Sequence, residues 1–169
     1  MEIRIGQGID FHRLEKGLKL YIGGVEIPSV KGCVAHSDGD VLLHAICDAL
    51  LGAAGLDDIG HQFPDDNPSY KNIDSKILLA RTFELLKEKE FSVINLDSTL
   101  CLQKPKISPF IDDMKKIISA ILSTDPGNIG IKATTTEKLG FIGREEGVAA
   151  MAVALIARNG GVENGRHDY

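Results

Sequence analysis

Asp10 and His12 stand two residues apart in a stretch, Ile3 to Phe11, where apolar residues alternate with small or polar ones. That alternation predicts a strand, and residues i and i+2 of a strand leave the same face, so a carboxylate and an imidazole can share one ligand. His44 lies one turn into a predicted helix and offers a second imidazole. One Asp and two His make a donor set that leaves a tetrahedral zinc one position open for substrate, as catalytic rather than structural zinc is held. The spacing alone is weak, because Asp-x-His is common and a single histidine is more often a hydrogen-bonded polar residue at a sheet edge. Asp40, His44 and Asp48 fall at i, i+4 and i+8 of one helical stripe, so Asp40 or Asp48 could orient the His44 ring from behind. The helix dipole explains Asp38 and Asp40 without any such role, and Asp48 less well.

A second dense stretch runs from Ala133 to Arg144, where Thr134, Thr135 and Thr136 precede Glu137 and Lys138 among glycines. Hydroxyls, backbone N–H groups and basic side chains in that density suit phosphate oxygens. Glu137 has two readings, a hard-cation ligand bridging those oxygens or the far end of a Thr-x-x-Glu capping box. The sequence holds no P-loop, nucleophile elbow or dinucleotide fingerprint, which removes ATPase, serine-hydrolase and Rossmann readings.

The elements that must position these residues follow from periodicity. Strands open the chain, with a second β-type pattern from Leu18 to Ile27 around Gly23-Gly24. Ser37-Asp38 reads as the cap of a helix from Val41 to Leu51, and Asp57 to Ser69 as a loop without a period. Asp74-Ser75 caps a helix to about Lys89, Val93 to Leu102 is a strand, and Ser108-Pro109 opens a third helix. Pro126-Gly127 marks a turn, and Ile129 and Ile131 a short strand. Val148 to Ala157 fits a buried strand or an Ala-rich helix equally by pattern. This order argues for an α/β sandwich, a mixed sheet covered by helices, in a single domain over 1–158 with a polar, flexible tail over 159–169.

Composition narrows the function classes. With 169 residues, 43% of them hydrophobic, the chain can bury one core, and a net charge of -5 opposes a phosphate backbone, so no nucleic acid is expected. The longest apolar run, Val148 to Ala157, is ten residues and too short to span a bilayer, so no membrane partner is expected. Three cysteines, Cys33, Cys47 and Cys101, have neither metal nor redox spacing and read as small buried hydrophobes. The N-terminus lacks a secretory or transit pattern, which predicts the cytoplasm, or a plastid-type organelle if a transit peptide has been removed.

Four segments together carry a resemblance: G-Q-G-I-D-F-H from Gly6, A-H-S-D-G-D-V-L-L-H-A from Ala35, D-I-G-x-x-F-P-D from Asp58, and K-A-T-T-T-E-K-L-G-F-I-G-R from Lys132. In this order they resemble the 2-C-methyl-D-erythritol 2,4-cyclodiphosphate synthases of the non-mevalonate isoprenoid pathway, from Ile3 to about Arg158. The resemblance implies a homotrimer of α/β subunits built on ferredoxin-like βαβ units, with active sites between neighbours, and makes the last segment a strand. It implies that Asp10, His12 and His44 hold one Zn2+ per site, and it puts the diphosphate beside Thr134 to Glu137, which favours reading Glu137 as the ligand of a second cation, Mg2+ or Mn2+. His36 and Ser37 fall at the substrate's phosphates, with His36 and Thr135 stabilising the transition state. Asp58, Ile59 and Gly60, with Phe63, Pro64, Asp65, Asp66 and Asn67, match the loop around the methylerythritol part. Leu102, Gln103, Lys104, Pro105, Lys106, Ile107 and Ser108, with Thr134 and Thr136, match the pocket for the cytidine diphosphate end of the substrate. Phe141 and Arg144 match residues lining the trimer's channel and its phosphate contacts. Gln7, where many members carry His, and Lys104, where a small residue is common, depart from the pattern without touching the metal set.

The implied reaction turns 4-diphosphocytidyl-2-C-methyl-D-erythritol 2-phosphate into the cyclic diphosphate and CMP. The substrate's own 2-phosphate attacks, so no protein nucleophile is needed, in keeping with the missing nucleophile motifs. A zinc hydrolase with the same ligands, or a non-catalytic binder of isoprenoid diphosphates, remains open at this stage.

Overall fold

The computed structural model describes residues 1–64 and 72–158. Strand β1 (Glu2–Lys16) is followed by a hairpin of β2 (Leu20–Ile22) and β3 (Val25–Ile27), then β4 (Lys31–Val34). Helix α1 (Val41–Ala53), the single turn α2 (Ile59–Gln62) and α3 (Ser75–Glu88) lead to β5 (Ser92–Cys101). Helix α4 (Ile111–Ile121), β6 (Ile129–Thr134), the single turn α5 (Gly140–Gly143) and β7 (Gly147–Arg158) complete the chain. The main sheet has the order β4-β1-β7-β5-β6, antiparallel except for the β5–β6 pair. β1 and β5 therefore run the same way with β7 between them, which makes β1-helices-β5 a split βαβ unit and β5-α4-β6 an adjacent one.

α1 is apolar nearly all round and lies in the middle of the core, against β1 and β7. What lets it approach is small side chains on both strands. Gly6 and Gly8 of β1 pair with Ala154 and Ala152 of β7, and a Cβ at Gly8 would sit 2.0 Å from the Ala45 carbonyl oxygen. The alanine run that left β7 ambiguous is thus the floor on which a helix backbone rests, and the segment is a strand.

The helices cover one face of the mixed sheet, as the sandwich expectation has it, and leave the other face bare. Along β1 the helix side carries Arg4, Gly6, Gly8, Asp10 and His12, whereas Ile3, Ile5, Ile9 and Phe11 point the other way, Ile5 being 70% and Phe11 58% exposed. Met151 and Val153 of β7 extend this exposed apolar surface.

Three local expectations also change. Asp40, not Ser37 or Asp38, caps α1, its carboxylate accepting from Leu43 N at 3.0 Å. The loop read over Asp57 to Ser69 contains α2, capped by Asp58. Ser108 and Pro109 form a 3-10 turn without a side-chain cap, and the α-helix begins at Ile111. Cys33 and Cys47 are buried, and burial pushes both thiols up to about 12, which fits small hydrophobes rather than ligands. The tail read over 159–169 lies outside the described residues.

Candidate metal centre and its pocket

Near the end of β1, Asp10 and His12 face α1, where His44 occupies the first turn. Asp10 Oδ2, His12 Nε2 and His44 Nδ1 stand at the corners of a triangle with every side 3.1 Å. Two donors on a tetrahedral zinc, with bonds of about 2.0–2.1 Å, are about 3.3 Å apart, so the donor set fits that ion closely and leaves a fourth position open. The second Asp10 oxygen accepts from Phe11 N at 2.8 Å, which turns Oδ2 toward the imidazoles. Burial by itself would raise the Asp10 carboxyl, but hydrogen bonds and charge from His12 and His44 outweigh it and hold the group well below the usual carboxylate range. Burial by itself would lower His44, and Asp10 reverses that too, leaving the imidazole above its ordinary value. An ionised carboxylate beside two imidazoles in a half-buried corner is a trap for a cation.

The triangle opens on a cavity of about 320 Å3. Of the residues predicted from sequence, Asp10, His12, His36, Ser37, His44, Ile59, Gly60 and Phe63 line it together. Val34, Ala35, Ile73 and Leu78 also line it, and the sequence reading does not include them. Asp58 is not a wall of the cavity; it caps α2, accepting from His61 N at 2.9 Å, and so fixes the turn that carries Ile59 and Gly60. Pro64 follows Phe63 at the end of this described stretch, and Asp65, Asp66 and Asn67 lie outside the described residues.

The partners expected behind His44 are different. Asp40 accepts from Gly23 N, Gly24 N and Leu43 N, and Asp48 accepts from Ile59 N at 2.9 Å. Neither reaches the imidazole. Asp48 instead ties α2, and with it Ile59, to α1, while burial raises its carboxyl against the pull of that N–H. His44 Nε2 is met by Ser75 Oγ at 2.9 Å and Ser37 Oγ at 3.2 Å, and only Ser37 of these two was among the expected site residues.

The second predicted group assembles elsewhere. Leu102 N donates to Thr134 O, Lys138 N donates to Gln103 Oε1, and Thr135 Oγ1 donates to Glu137 Oε1 at 2.7 Å. Thr134 is the last residue of β6 and the next helical turn starts only at Gly140, so no helix begins after Thr134 and the capping-box reading falls. Thr134 and Thr136 give their hydroxyl protons to backbone carbonyls, of Thr135 and Leu139. Lys104, Pro105 and Lys106 line a separate cavity of about 700 Å3 with Pro28 to Lys31, and Lys104 pairs with Glu145 at 3.1 Å. Ile107 is buried and Ser108 opens the 3-10 turn. Phe141 packs against Phe11 in a tilted arrangement with ring centroids 6.3 Å apart, and Arg144 makes a two-pronged pair with Glu146, both contacts 2.9 Å. Phe11, Ala149, Cys101 and Thr134 form one cross-strand row of β1, β7, β5 and β6. At strand spacing Thr134 is therefore about 14 Å from the metal triangle's strand, at the same end of the sheet.

This arrangement has relatives. The chain is 54% identical over 153 residues to the 2-C-methyl-D-erythritol 2,4-cyclodiphosphate synthase of Porphyromonas gingivalis, covering 90% of this chain and 94% of that one. It is 54% identical over 156 residues to the enzyme of the same name from Natranaerobius thermophilus, covering 92% and 99%. Among solved structures, the bifunctional IspDF of Campylobacter jejuni superimposes with a TM-score of 0.90 at 43% identity, over 94% of this chain and 43% of that chain. The CDP complex of IspF from Plasmodium falciparum gives 0.82 at 36% identity, over 94% and 97%. The model of the YgbB family matches residues 3–157, and the chain belongs to that family.

Proposed function

We propose that the chain converts 4-diphosphocytidyl-2-C-methyl-D-erythritol 2-phosphate to 2-C-methyl-D-erythritol 2,4-cyclodiphosphate and CMP, as a homotrimer whose sites lie between subunits. The observation that carries this is the Asp10–His12–His44 triangle opening on a cavity walled by His36 and Ser37. The names of the P. gingivalis and N. thermophilus relatives give the cyclic diphosphate as product, and the CDP of the P. falciparum structure fits a substrate with a cytidine end.

In the reaction an oxygen of the 2-phosphate attacks the β-phosphorus, the bond from that phosphorus to the bridging oxygen breaks, and CMP leaves with the electron pair. Zinc held by Asp10, His12 and His44, with Mg2+ or Mn2+ at Glu137, would supply positive charge that offsets the repulsion of two phosphates and the charge developing on CMP. The protein's residues supply the rest. Ser37 Oγ accepts from Gly39 N at 3.1 Å, so its own proton is available to a phosphate oxygen in the cavity. His36 lines the same wall and would add a donor at the reacting phosphorus. Ile59, Gly60 and Phe63 form the side against which the methylerythritol part folds, so that ring closure begins from a confined pose. Thr135, which anchors the Glu137 carboxylate, completes the diphosphate end together with the segment from Leu102 to Ser108.

Trimerisation is supported by two features. Thr134 is about 14 Å from β1 within one chain, and a neighbour's copy of this segment would close the site. Ile3, Ile5, Ile9, Phe11, Met151 and Val153 also leave an apolar sheet face exposed that a second layer would cover. No helix among the described residues is long and apolar enough to cross a membrane. We place the enzyme in the cytoplasm.

Product analysis tests the reading. Phosphorus NMR of a reaction with zinc and Mg2+ should show CMP and the cyclic diphosphate in equal amounts. A linear diphosphate would make the protein a zinc hydrolase, and binding without turnover would make it a carrier.

A further inference from the structure

We propose that Ser75 and Asp38 act as a positioning relay that fixes the tautomer of His44 and so presents Nδ1, bare, to the metal; the inference rests on the metal-centre reading above. Ser75 is the first residue of α3 and fully buried. Its hydroxyl is not needed as a helix cap, since Asp74 holds that place and accepts from Lys76 N at 2.8 Å. The Ser75 hydroxyl instead lies between two side chains from a different part of the fold, Asp38 and His44.

A proton inventory sets the direction of this chain of hydrogen bonds. Asp38 accepts from Ser75 N at 3.0 Å, from Asp40 N at 3.2 Å and from the Ser75 hydroxyl. A carboxylate engaged by three donors is an acceptor only. Ser75 has one hydroxyl proton, and that proton goes to Asp38. Toward His44, 2.9 Å away, Ser75 Oγ can only accept, so Nε2 must carry its hydrogen. In a neutral imidazole the other nitrogen then has the free lone pair, and Nδ1 is the corner of the metal triangle. Metal-bound histidines characteristically donate their second N–H to such a partner, which fixes ring orientation and raises ligand basicity.

The backbone holds the relay in register. Asn72 N donates to His36 O at 2.6 Å, and Asp38 N donates to Ile73 O at 3.1 Å, so the segment before α3 is pinned to the segment before α1. The relay also disposes of a rival interpretation of Ser37. Its contact with His44 Nε2 looks like a nucleophile and base, but a nitrogen that already carries hydrogen cannot take the Ser37 proton.

The test is zinc affinity, read by competition with a chromophoric chelator for the wild type, Ser75→Ala, Asp38→Asn and the double variant. Each single variant should bind zinc 10- to 100-fold more weakly, on the scale seen when outer partners of a ligating histidine are removed. The double variant should be no weaker than the worse single, because the two residues act as one unit. Zinc affinity within two-fold of wild type in both singles, in chains whose circular dichroism shows them folded, would overturn the relay, and so would losses that multiply in the double variant. A purely structural Ser75 would lower the melting temperature of the zinc-free chain and leave zinc affinity alone. A measurement without substitutions covers the case of variants that do not fold: nitrogen NMR of the zinc-loaded wild type should show His44 metallated at Nδ1 and protonated at Nε2. Coordination through Nε2 would refute the proposal, while a wild type that binds no zinc would defeat the metal-centre reading itself.

Discussion

Gly8→Ala probes the link between packing and chemistry most directly. An alanine Cβ there would sit 2.0 Å from the Ala45 carbonyl oxygen, 2.7 Å from Ala49 N and 2.9 Å from the Asp48 Cβ. The first two are backbone atoms of α1, so no rotamer change can relieve the clash. Since real Cβ contacts stay above 3.0 Å, α1 must retreat from β1 by at least about 1 Å at this level. His44 is the residue next to Ala45, and Asp10 is two residues beyond Gly8, so the retreat falls on the metal triangle. A metal site tolerates about 0.2 Å in its bond lengths, several times less than this displacement. Overpacking of this kind costs about 1–3 kcal/mol, and a 1 Å misplacement at a reacting centre can cost about 100-fold in rate. Gly8→Ala is therefore expected to lower the urea midpoint and to lose zinc together with activity. Gly6→Ala, whose Cβ would meet Ala49 O at 2.1 Å and Ala53 N at 2.4 Å, presses on the far end of α1. It should destabilise comparably and disturb zinc less. The assay is zinc content per chain after gel filtration, beside urea unfolding of the zinc-free protein. A Gly8→Ala enzyme with wild-type zinc affinity and midpoint would show that α1 does not rest on β1 as described, and the reasoning would fail.

Further outcomes follow from the same contacts. Gly52→Ala, in an exposed turn of α1 where the added Cβ meets nothing closer than Gln7 O at 4.0 Å, should stabilise by about 0.5–1 kcal/mol, raising the melting temperature by roughly 1–4 °C. Asp40→Ala leaves Gly23 N, Gly24 N and Leu43 N without their acceptor and should cost about 3–5 kcal/mol in urea unfolding, partly offset because a buried carboxylate is also removed. Mixed trimers of His44→Ala chains with Thr135→Ala chains should regain activity by pairing intact halves, whereas verified mixed trimers that stay inactive would place each site within one chain. Titrating Mg2+ against Glu137→Gln should show a higher requirement at unchanged zinc content, and a wild-type Mg2+ dependence at wild-type rate would remove Glu137 from the cation site.

Periodicity makes most elements legible, and the places where it falls short have one cause. Alternation along β1 identifies the strand but not which side is the core, because a two-residue period is the same from either face. The helix side of β1 carries Gly6, Gly8, Asp10 and His12, and the apolar side is left exposed. A side that looks poor in hydrophobes is the buried one, since a helix backbone lies against it and fills the space that side chains would occupy. The same close approach makes β7 alanine-rich and indistinguishable by pattern from a helix.

The site divides in a similar way. Asp10 and His12 are legible because two residues on one strand must share a face, and His44 becomes legible once a family is recognised. What supports His44 is not, since Ser75 is 31 positions away in sequence and its residue type and place suggest a helix cap. The stripe rule picked Asp40 and Asp48 as partners because they lie on the same helix as His44. That rule describes neighbours on an exposed helix surface. α1 is buried on nearly every side, so its functional groups meet other elements before they meet each other: Asp40 meets the turn at Gly23 and Gly24, Asp48 meets α2, and His44 meets α3. A central helix of this kind carries one ligand and ties together the surrounding parts that must hold it. For that reason substitutions at Asp40, Asp48 and Ser75 should be separable by what they disturb: stability for the first, the Ile59 wall for the second and zinc for the third.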